Sequence, residues 1–460
     1  MIRRAGAVLV SCLVVAVVLL VIGLAASQYA AVAVVGALVV LVVGLTVYEP
    51  VALPVLAMPA LTVVDRVGGE SFNLTVSDVA LFAATWAAVF LAPRPFSRAM
   101  RTMLWLCAVY QVATLFTVLV HPYRQNTVEW VHAGFLIAGA LLVGWAVGAA
   151  GRARVGLTLF MVPCLVIAGL ACAAALQQLA AGALTPVYLD WPWGMHKNLI
   201  GPLLASAALL AYARPEWVGW PKWFAVTSFW LCTLGALAAQ SRQALVGLGV
   251  GLLVIALRPD PDRRRSRLVF LAVIPVMAFV ASRVREDFTG TNEFNSSFVR
   301  LTWYEQALDV WRIDPVFGVG LRWWVAGRTE YEFQPPNVEL EVLSSVGLLG
   351  LTAFLVMIVG GIVVAWRVPA RFGTLAVAVL LARFVQSQFD QFWVSVLVSV
   401  PYLVVGVCLG AEQYARSREE ARRGRGADGT DELRSVVEML EAERRNVVAG
   451  RTRALSGFTA

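Results

Sequence analysis

Residues 155–178 read VGLTLFMVPCLVIAGLACAAALQQ, a run without a single charge, entered past Arg152 and Arg154. A helix needs about 20 apolar residues to cross the hydrocarbon core of a bilayer, and this run supplies them. Comparable runs recur near 7–26, 29–48, 51–64, 77–93, 102–120, 131–150, 198–213, 222–239, 243–257, 267–283, 338–365, 372–388 and 393–410. The whole chain of 460 residues is 59% hydrophobic and 14% charged, with mean hydropathy +0.75. Soluble proteins carry roughly 25% charged residues, so this chain has too little polar surface to be one. The ten-residue alternation of a membrane β-barrel is missing. The expected fold is therefore all-α: a polytopic helical membrane protein with about 12–14 transmembrane helices.

Charge orients the runs. The formal charge is +8, which on a soluble domain would raise the question of nucleic acid. Here the arginines lie between apolar runs, where they set topology and meet lipid headgroups, so no nucleic-acid partner is expected. With Arg3 and Arg4 inside, alternate loops carry Arg94, Arg98 and Arg101; Arg152 and Arg154; Arg214 and Lys222; Arg258, Arg263, Arg264, Arg265 and Arg267; then Arg367 and Arg371. All of these fall on the cytoplasmic side. The run at 51–64 is short, and with Pro50, Pro54 and Pro59 it has the make-up of a re-entrant segment. Counting it as a crossing keeps every inner loop basic. The first run, 7–26, has no convincing cleavage site and reads as an uncleaved signal anchor. The six cysteines all sit inside apolar runs without CxxC spacing, so they read as packed thiols.

This orientation divides the chain into a multi-span membrane domain, 1–410, and a charged cytoplasmic tail, 411–460, with an amphipathic helix expected at 431–447. Three segments then face outward: 179–197, the turn 240–243, and a long extracytoplasmic loop, 284–337. In that loop, helical spacing runs from Phe298 to Arg312. Leu301, Tyr304, Leu308 and Trp311 form an apolar face, Asn295, Ser296 or Ser297 cap the start, and Asp314-Pro315 ends it. The aromatics suit an interfacial amphipathic helix. The glycine pair Gly318 and Gly320 follows a helix and lacks the third glycine of a dinucleotide fingerprint, and no P-loop occurs.

Outward arginines run against the positive-inside trend. Arg242, Arg300, Arg322 and Arg328 either bind an anion through their guanidinium forks or pair with Glu305, Asp309, Glu330 or Glu332. Arg383 lies within an apolar run with Asp390 seven residues on along the same helical face; an embedded charge points by default to function, and the favoured competing reading is an Arg–Asp pair fixing helix packing near the outer surface.

Three stretches together resemble the O-antigen ligase and polymerase superfamily of bacterial membrane glycan transferases. They are Ser241-Arg242-Gln243-Ala244-Leu245; Arg300 through Trp324 with its Asp314-Pro-Val-Phe-Gly-Val-Gly-Leu run; and Pro336-Asn337-Val-Glu339-Leu-Glu341 through Gly350-Leu351. The resemblance covers roughly residues 196–365. It implies transfer of a glycan from a polyprenyl diphosphate to an acceptor sugar at the outer face, with no metal or nucleotide cofactor. It implies as partners a polyprenyl-diphosphate-linked glycan donor, a glycan or lipid-glycan acceptor, and membrane lipids. Arg242 and Arg300 match arginines that the family uses on the diphosphate. A His usually precedes the Asn at the third stretch; here Pro336 precedes Asn337, so the base is open among Glu339, Glu341, Glu330, Glu332 and His196. The catalytic set expected is Arg242, Arg300, Glu339 and His196, with Arg322, Arg328, Lys197, Asn337 and Trp323 binding substrate. For Glu339 and Glu341 the competing reading is an acidic first helical turn; for His196 it is an interfacial polar residue. A polymerase of the same superfamily is the alternative product chemistry. A lipid-linked sugar transporter is disfavoured by the absence of an internal repeat, and a non-catalytic scaffold by the retained arginines.

Overall fold

The computed structural model describes residues 30–67, 74–183, 185–260, 296–331 and 334–423. The runs at 7–26 and 267–283, residues 284–295 of the long loop, Glu332, and the tail helix expected at 431–447 lie outside them. The described residues are helical almost throughout. The helices are α1 (Ala30–Tyr48), α2 (Ala52–Ala60), α3 (Val76–Leu91), α4 (Arg98–Val120), α5 (Arg124–Ala149), α6 (Ala153–Ala180), α7 (Lys197–Ala213), α8 (Lys222–Ala238), α9 (Arg242–Leu257), α10 (Ser296–Trp311), α11 (Val338–Arg367), α12 (Ala370–Gln386) and α13 (Ser395–Arg423). A two-stranded antiparallel hairpin, β1 (Arg66–Val67) with β2 (Leu74–Thr75), joins α2 to α3. Contacts divide the chain into two compact units, Met1–Ala411 and Glu412–Ala460.

Among the described residues α4, α5, α6, α11 and α13 are long and apolar enough to cross a membrane, and α7, α8 and α9 are shorter apolar helices. The protein is an all-α, multi-pass membrane protein. Within the first unit α9 packs between α7 and α12, α8 lies on α6 and α7, and α11 packs on α4 and α12.

The bundle has two chemically different ends. At one end, Arg152 Nη2 lies 3.8 Å from Glu49 Oε2, Trp217 Nε1 donates to Arg371 O (3.0 Å), and Arg258 Nη2 donates to Trp366 O and Val368 O, both at 2.7 Å. This basic end holds Arg152, Arg258 and Arg371, which lie in loops that the charge pattern assigns inside. The other end holds the turns at 121–123, 187–196, 239–241 and 387–394 and the arm 314–331.

The run at 51–64 forms only the nine-residue α2, about 13 Å long at 1.5 Å per residue. Pro54 and Pro59 remove two backbone donors, and the chain leaves helix after Ala60. Glu49 starts the run at the basic end, whereas Val63 O and Asp65 O accept from Ser77 N and Val76 N at the start of α3. The segment thus links Glu49, beside Arg152, to the start of α3, part helix and part extended chain.

Candidate functional site

Two helix N-termini lie side by side at the second end. A Cβ on Gly201 of α7 would meet the Cβ atoms of Ser241 and Ala244, so the second turn of α7 touches the start of α9. Each helix begins on a cation, α7 on Lys197 and α9 on Arg242. A cation at a helix N-terminus opposes the macrodipole and the unpaired N–H groups there. Two together make a locus that favours an anion. Lys197 is half-buried and Arg242 exposed. Beside Arg242, Gln243 donates Nε2 to Asp390 Oδ2.

His196 is the N-cap of α7: its Nδ1 accepts from Asn198 N at 3.1 Å. That bond requires a bare Nδ1, so the proton of the neutral ring sits on Nε2 and the outward nitrogen is a donor. Partial shielding and the Lys197 ammonium hold its pKa below the ordinary imidazole value, with Asp390 opposing. The capping role leaves the ring without a free proton-accepting nitrogen.

Arg300 and Glu339 both lie within electrostatic reach of Tyr304. Burial raises the Tyr304 pKa; Arg300 lowers it and Glu339 raises it, so both charges act on one phenol. Asn337 caps α11, its Oδ1 accepting from Leu340 N at 3.1 Å, which sets Glu339 in the first turn. Glu339 Oε1 accepts from Gln388 Nε2 at 2.9 Å, and Oε2 is buried with no hydrogen-bond partner. Glu341 is buried: Oε1 accepts from Gln334 Nε2 (2.7 Å) and Oε2 from Phe392 N (2.6 Å). Glu330 is exposed.

The turn 387–394 ties these elements together. Val338 N donates to Ser387 O, and Asn337 Nδ2 to Gln388 O. Arg383 closes the turn from below by donating Nη2 to Gln391 O (2.8 Å) and to Phe392 O. The expectation that Asp390 shares a helical face with Arg383 is corrected. The helix α12 ends at Gln386, Asp390 sits in the turn beyond it, and Arg383 bonds backbone carbonyls while Asp390 takes Gln243. Contacts thus run from Gln243, next to Arg242, through the turn to Glu339.

The arm after α10 docks between α4–α5 and α11. Gly347 (φ +66°) breaks α11 within one turn of Ser344 and Ser345, whose carbonyls accept from Val319 N and Gly320 N at 3.2 and 2.8 Å. Gly318 (φ +69°) lies against the opened turn. A Cβ on either glycine would strike the other segment's backbone, which is why the sequence has glycine at both. The glycines are a backbone crossing. On the other side Thr117 Oγ1 donates to Phe317 O (2.6 Å), His121 Nε2 pairs with Asp314 Oδ2 (3.2 Å), and Asn126 Oδ1 accepts from Leu321 N (3.0 Å).

The arm's cations have partners that the spacing did not indicate. Arg322 Nε lies 3.6 Å from Glu129 Oε2, and Arg328 stacks 4.1 Å above the Tyr123 ring, with Trp323 beside it. Burial pushes the Tyr123 phenol up to about 12 against the lowering pull of both arginines. The apolar face expected on α10 is also corrected. Leu301 is 49% exposed, and Ala307 and Val310 are the buried positions, closed over by Val319 and Trp324. The returning arm lies over Ala307 and Val310, so it is this face of α10 that is covered. Residues missed by sequence reading include Tyr304, Gln388 and the buried group Asp78, Glu129 and His132. Ionisable residues inside apolar runs were the available signal for Asp78 and His132.

No curated protein matches the chain. Residues 227–355 match the family model described as O-antigen ligase, a stretch that includes Arg242, Arg300, the docked arm, Asn337 and Glu339. Over that stretch the chain is similar to the O-antigen ligase family.

Proposed function

We propose that this protein transfers a glycan from a polyprenyl diphosphate to a sugar hydroxyl at the outer face of the bacterial cytoplasmic membrane. The observation that carries the reading is the pair of touching helix N-termini led by Lys197 and Arg242. Contacts link that pair to Glu339, and the charges of Arg300 and Glu339 both act on Tyr304. The matched O-antigen ligase region includes Arg242, Arg300 and Glu339. Orientation follows from the basic end, which the positive-inside rule assigns to the cytoplasm, with both termini on that side.

In the reaction the acceptor hydroxyl oxygen attacks the anomeric carbon. The new C–O bond forms as the bond to the diphosphate breaks, and the polyprenyl diphosphate leaves with the electron pair. Charge grows on that leaving group, and fixed cations lower the barrier most where charge grows. Arg242, Arg300 and Lys197 take this role. The hydroxyl proton goes to Glu339, whose Oε2 carries no internal hydrogen bond. Asn337 holds Glu339 through the helix cap, and His196 orders the first turn of α7. Arg322 and Arg328, engaged with Glu129 and Tyr123, shape the arm beside Trp323.

The test is gene deletion followed by complementation. Loss of a surface glycan restored by the wild-type chain but not by Arg242→Ala or Arg300→Ala supports the reading. Full-length chains left on the carrier in the deletion strain mark a ligase, and short chains still attached mark a polymerase. A glycan profile unchanged by deletion contradicts both.

A further inference from the structure

Four ionisable groups lie in contact inside the bundle away from Arg242, Arg300 and Glu339. His132 Nε2 is 3.0 Å from Asp78 Oδ1 and His132 Nδ1 is 3.4 Å from Glu129 Oε1. Glu129 Oε2 continues to Arg322 Nε at 3.6 Å. Asp78 Oδ2 also accepts from Thr75 N (2.8 Å), Thr75 Oγ1 (2.7 Å) and Ser395 Oγ (3.2 Å). The side chains of Asp78, Glu129 and His132 are only 5%, 12% and 13% exposed. Such groups are costly in an apolar bundle and persist when they are matched.

The geometry excludes one role and supports another. An ionised carboxylate only accepts, so a ring flanked by two carboxylate oxygens donates from both nitrogens. His132 therefore has no lone pair to offer a substrate hydroxyl. Two carboxylates, one imidazolium and one guanidinium sum to zero charge, a closed set whose one exit is Arg322, on the arm. The first turn of α5 carries Asn126, which accepts from Leu321 N, and its N-cap is Tyr123, whose Oη donates to Val319 O at 3.4 Å.

We propose that Asp78, His132 and Glu129 form a buried ionic anchor that positions the arm 314–328 through Arg322. The three elements thereby fixed to one another are the start of α3, the second turn of α5 and the arm, with α13 joined through Ser395. The members are positioning residues. Only the activity arm of the test rests on the proposed function.

The experiment uses the full-length chain in detergent and follows tryptic cleavage after Arg328 by mass spectrometry. Cleavage of a folded protein tracks the population of the released segment. Arg322→Gln, which alters only the arm side, should speed that cleavage on the order of ten-fold without shifting thermal unfolding of the bundle. Glu129→Gln should do the same, and the double variant should be no faster than the faster single. Arg322→Lys, which keeps the charge, should retain most of the protection. Unchanged cleavage in Arg322→Gln, or effects of the two changes that multiply, would overturn the anchor. If Glu129→Gln does not fold, the Arg322 pair of variants decides alone. In membranes, Arg322→Gln should lower turnover while KM for the lipid-linked donor stays within about two-fold. Arm release in a protein whose wild type shows no transfer would sink the proposed function and leave the anchor standing.

Discussion

Gln388 Nε2 donates to Glu339 Oε1 at 2.9 Å, joining the turn after α12 to the first turn of α11 across 49 residues of sequence. One oxygen of Glu339 is thereby held while the other stays unpartnered. Glu339→Gln keeps the shape and loses the proton acceptor. Glycan transfer should fall about a hundred-fold or more, the usual worth of a general base, with the thermal midpoint little changed. Retained transfer in this variant would move the base elsewhere.

Gly347 holds φ +66° where α11 breaks, with Val316 O close against it. Gly347→Ala places a Cβ in a conformation costing about 1–3 kcal/mol and drives it into the arm. Thermal unfolding in detergent should shift downward, and the arm should become accessible to protease. An unshifted midpoint would mean that α11 can straighten without cost.

Arg383 is 3% exposed and closes the 387–394 turn through two carbonyls, with Asp390 and Glu341 in its field. Arg383→Met leaves the buried Glu341 without the cation in its field and the turn carbonyls without their donor. Breaking a buried set from one side costs about 3–5 kcal/mol, so folded yield should drop sharply. A protein as stable as wild type would show that the turn is held by the other contacts alone.

The His196 pKa is depressed in the folded protein, so the neutral ring is the folded form. The sign follows: above the unfolded value nothing is lost, and stability falls as pH drops below it toward the folded value, because the unfolded chain binds the proton first. Protonation also removes the Nδ1 acceptor that caps α7. Between pH 7.5 and 5, roughly the window of histidine titration, the thermal midpoint should fall. His196→Asn, which caps without titrating, should flatten that slope. An identical slope in both proteins would place the titration on another group.

The membrane fold was legible in the apolar runs, because spanning length and charge exclusion are properties of contiguous sequence. The gathering of Arg152, Arg258 and Arg371 at one end of the bundle was legible in the loop arginines for the same reason. The partners of the arm were not. Thr117 and Phe317 meet across 200 residues, and Arg322 finds Glu129 across 193, distances over which spacing says nothing. Periodicity also favoured Leu301 and Leu308 for the face of α10, whereas the docking of Trp324 selects Ala307 and Val310. His196 was legible as a polar residue just ahead of the apolar run at 198–213. Only the direction of its Nδ1 separates a helix cap from a base.

The most direct measurement is glycan transfer from a polyprenyl diphosphate donor in membranes holding equal amounts of wild type, Arg242→Ala and Arg300→Ala. The account predicts that each change cuts transfer about a thousand-fold, comparable to removing a principal stabiliser of transition-state charge, with folded protein retained. Transfer at the wild-type rate by either variant would contradict it.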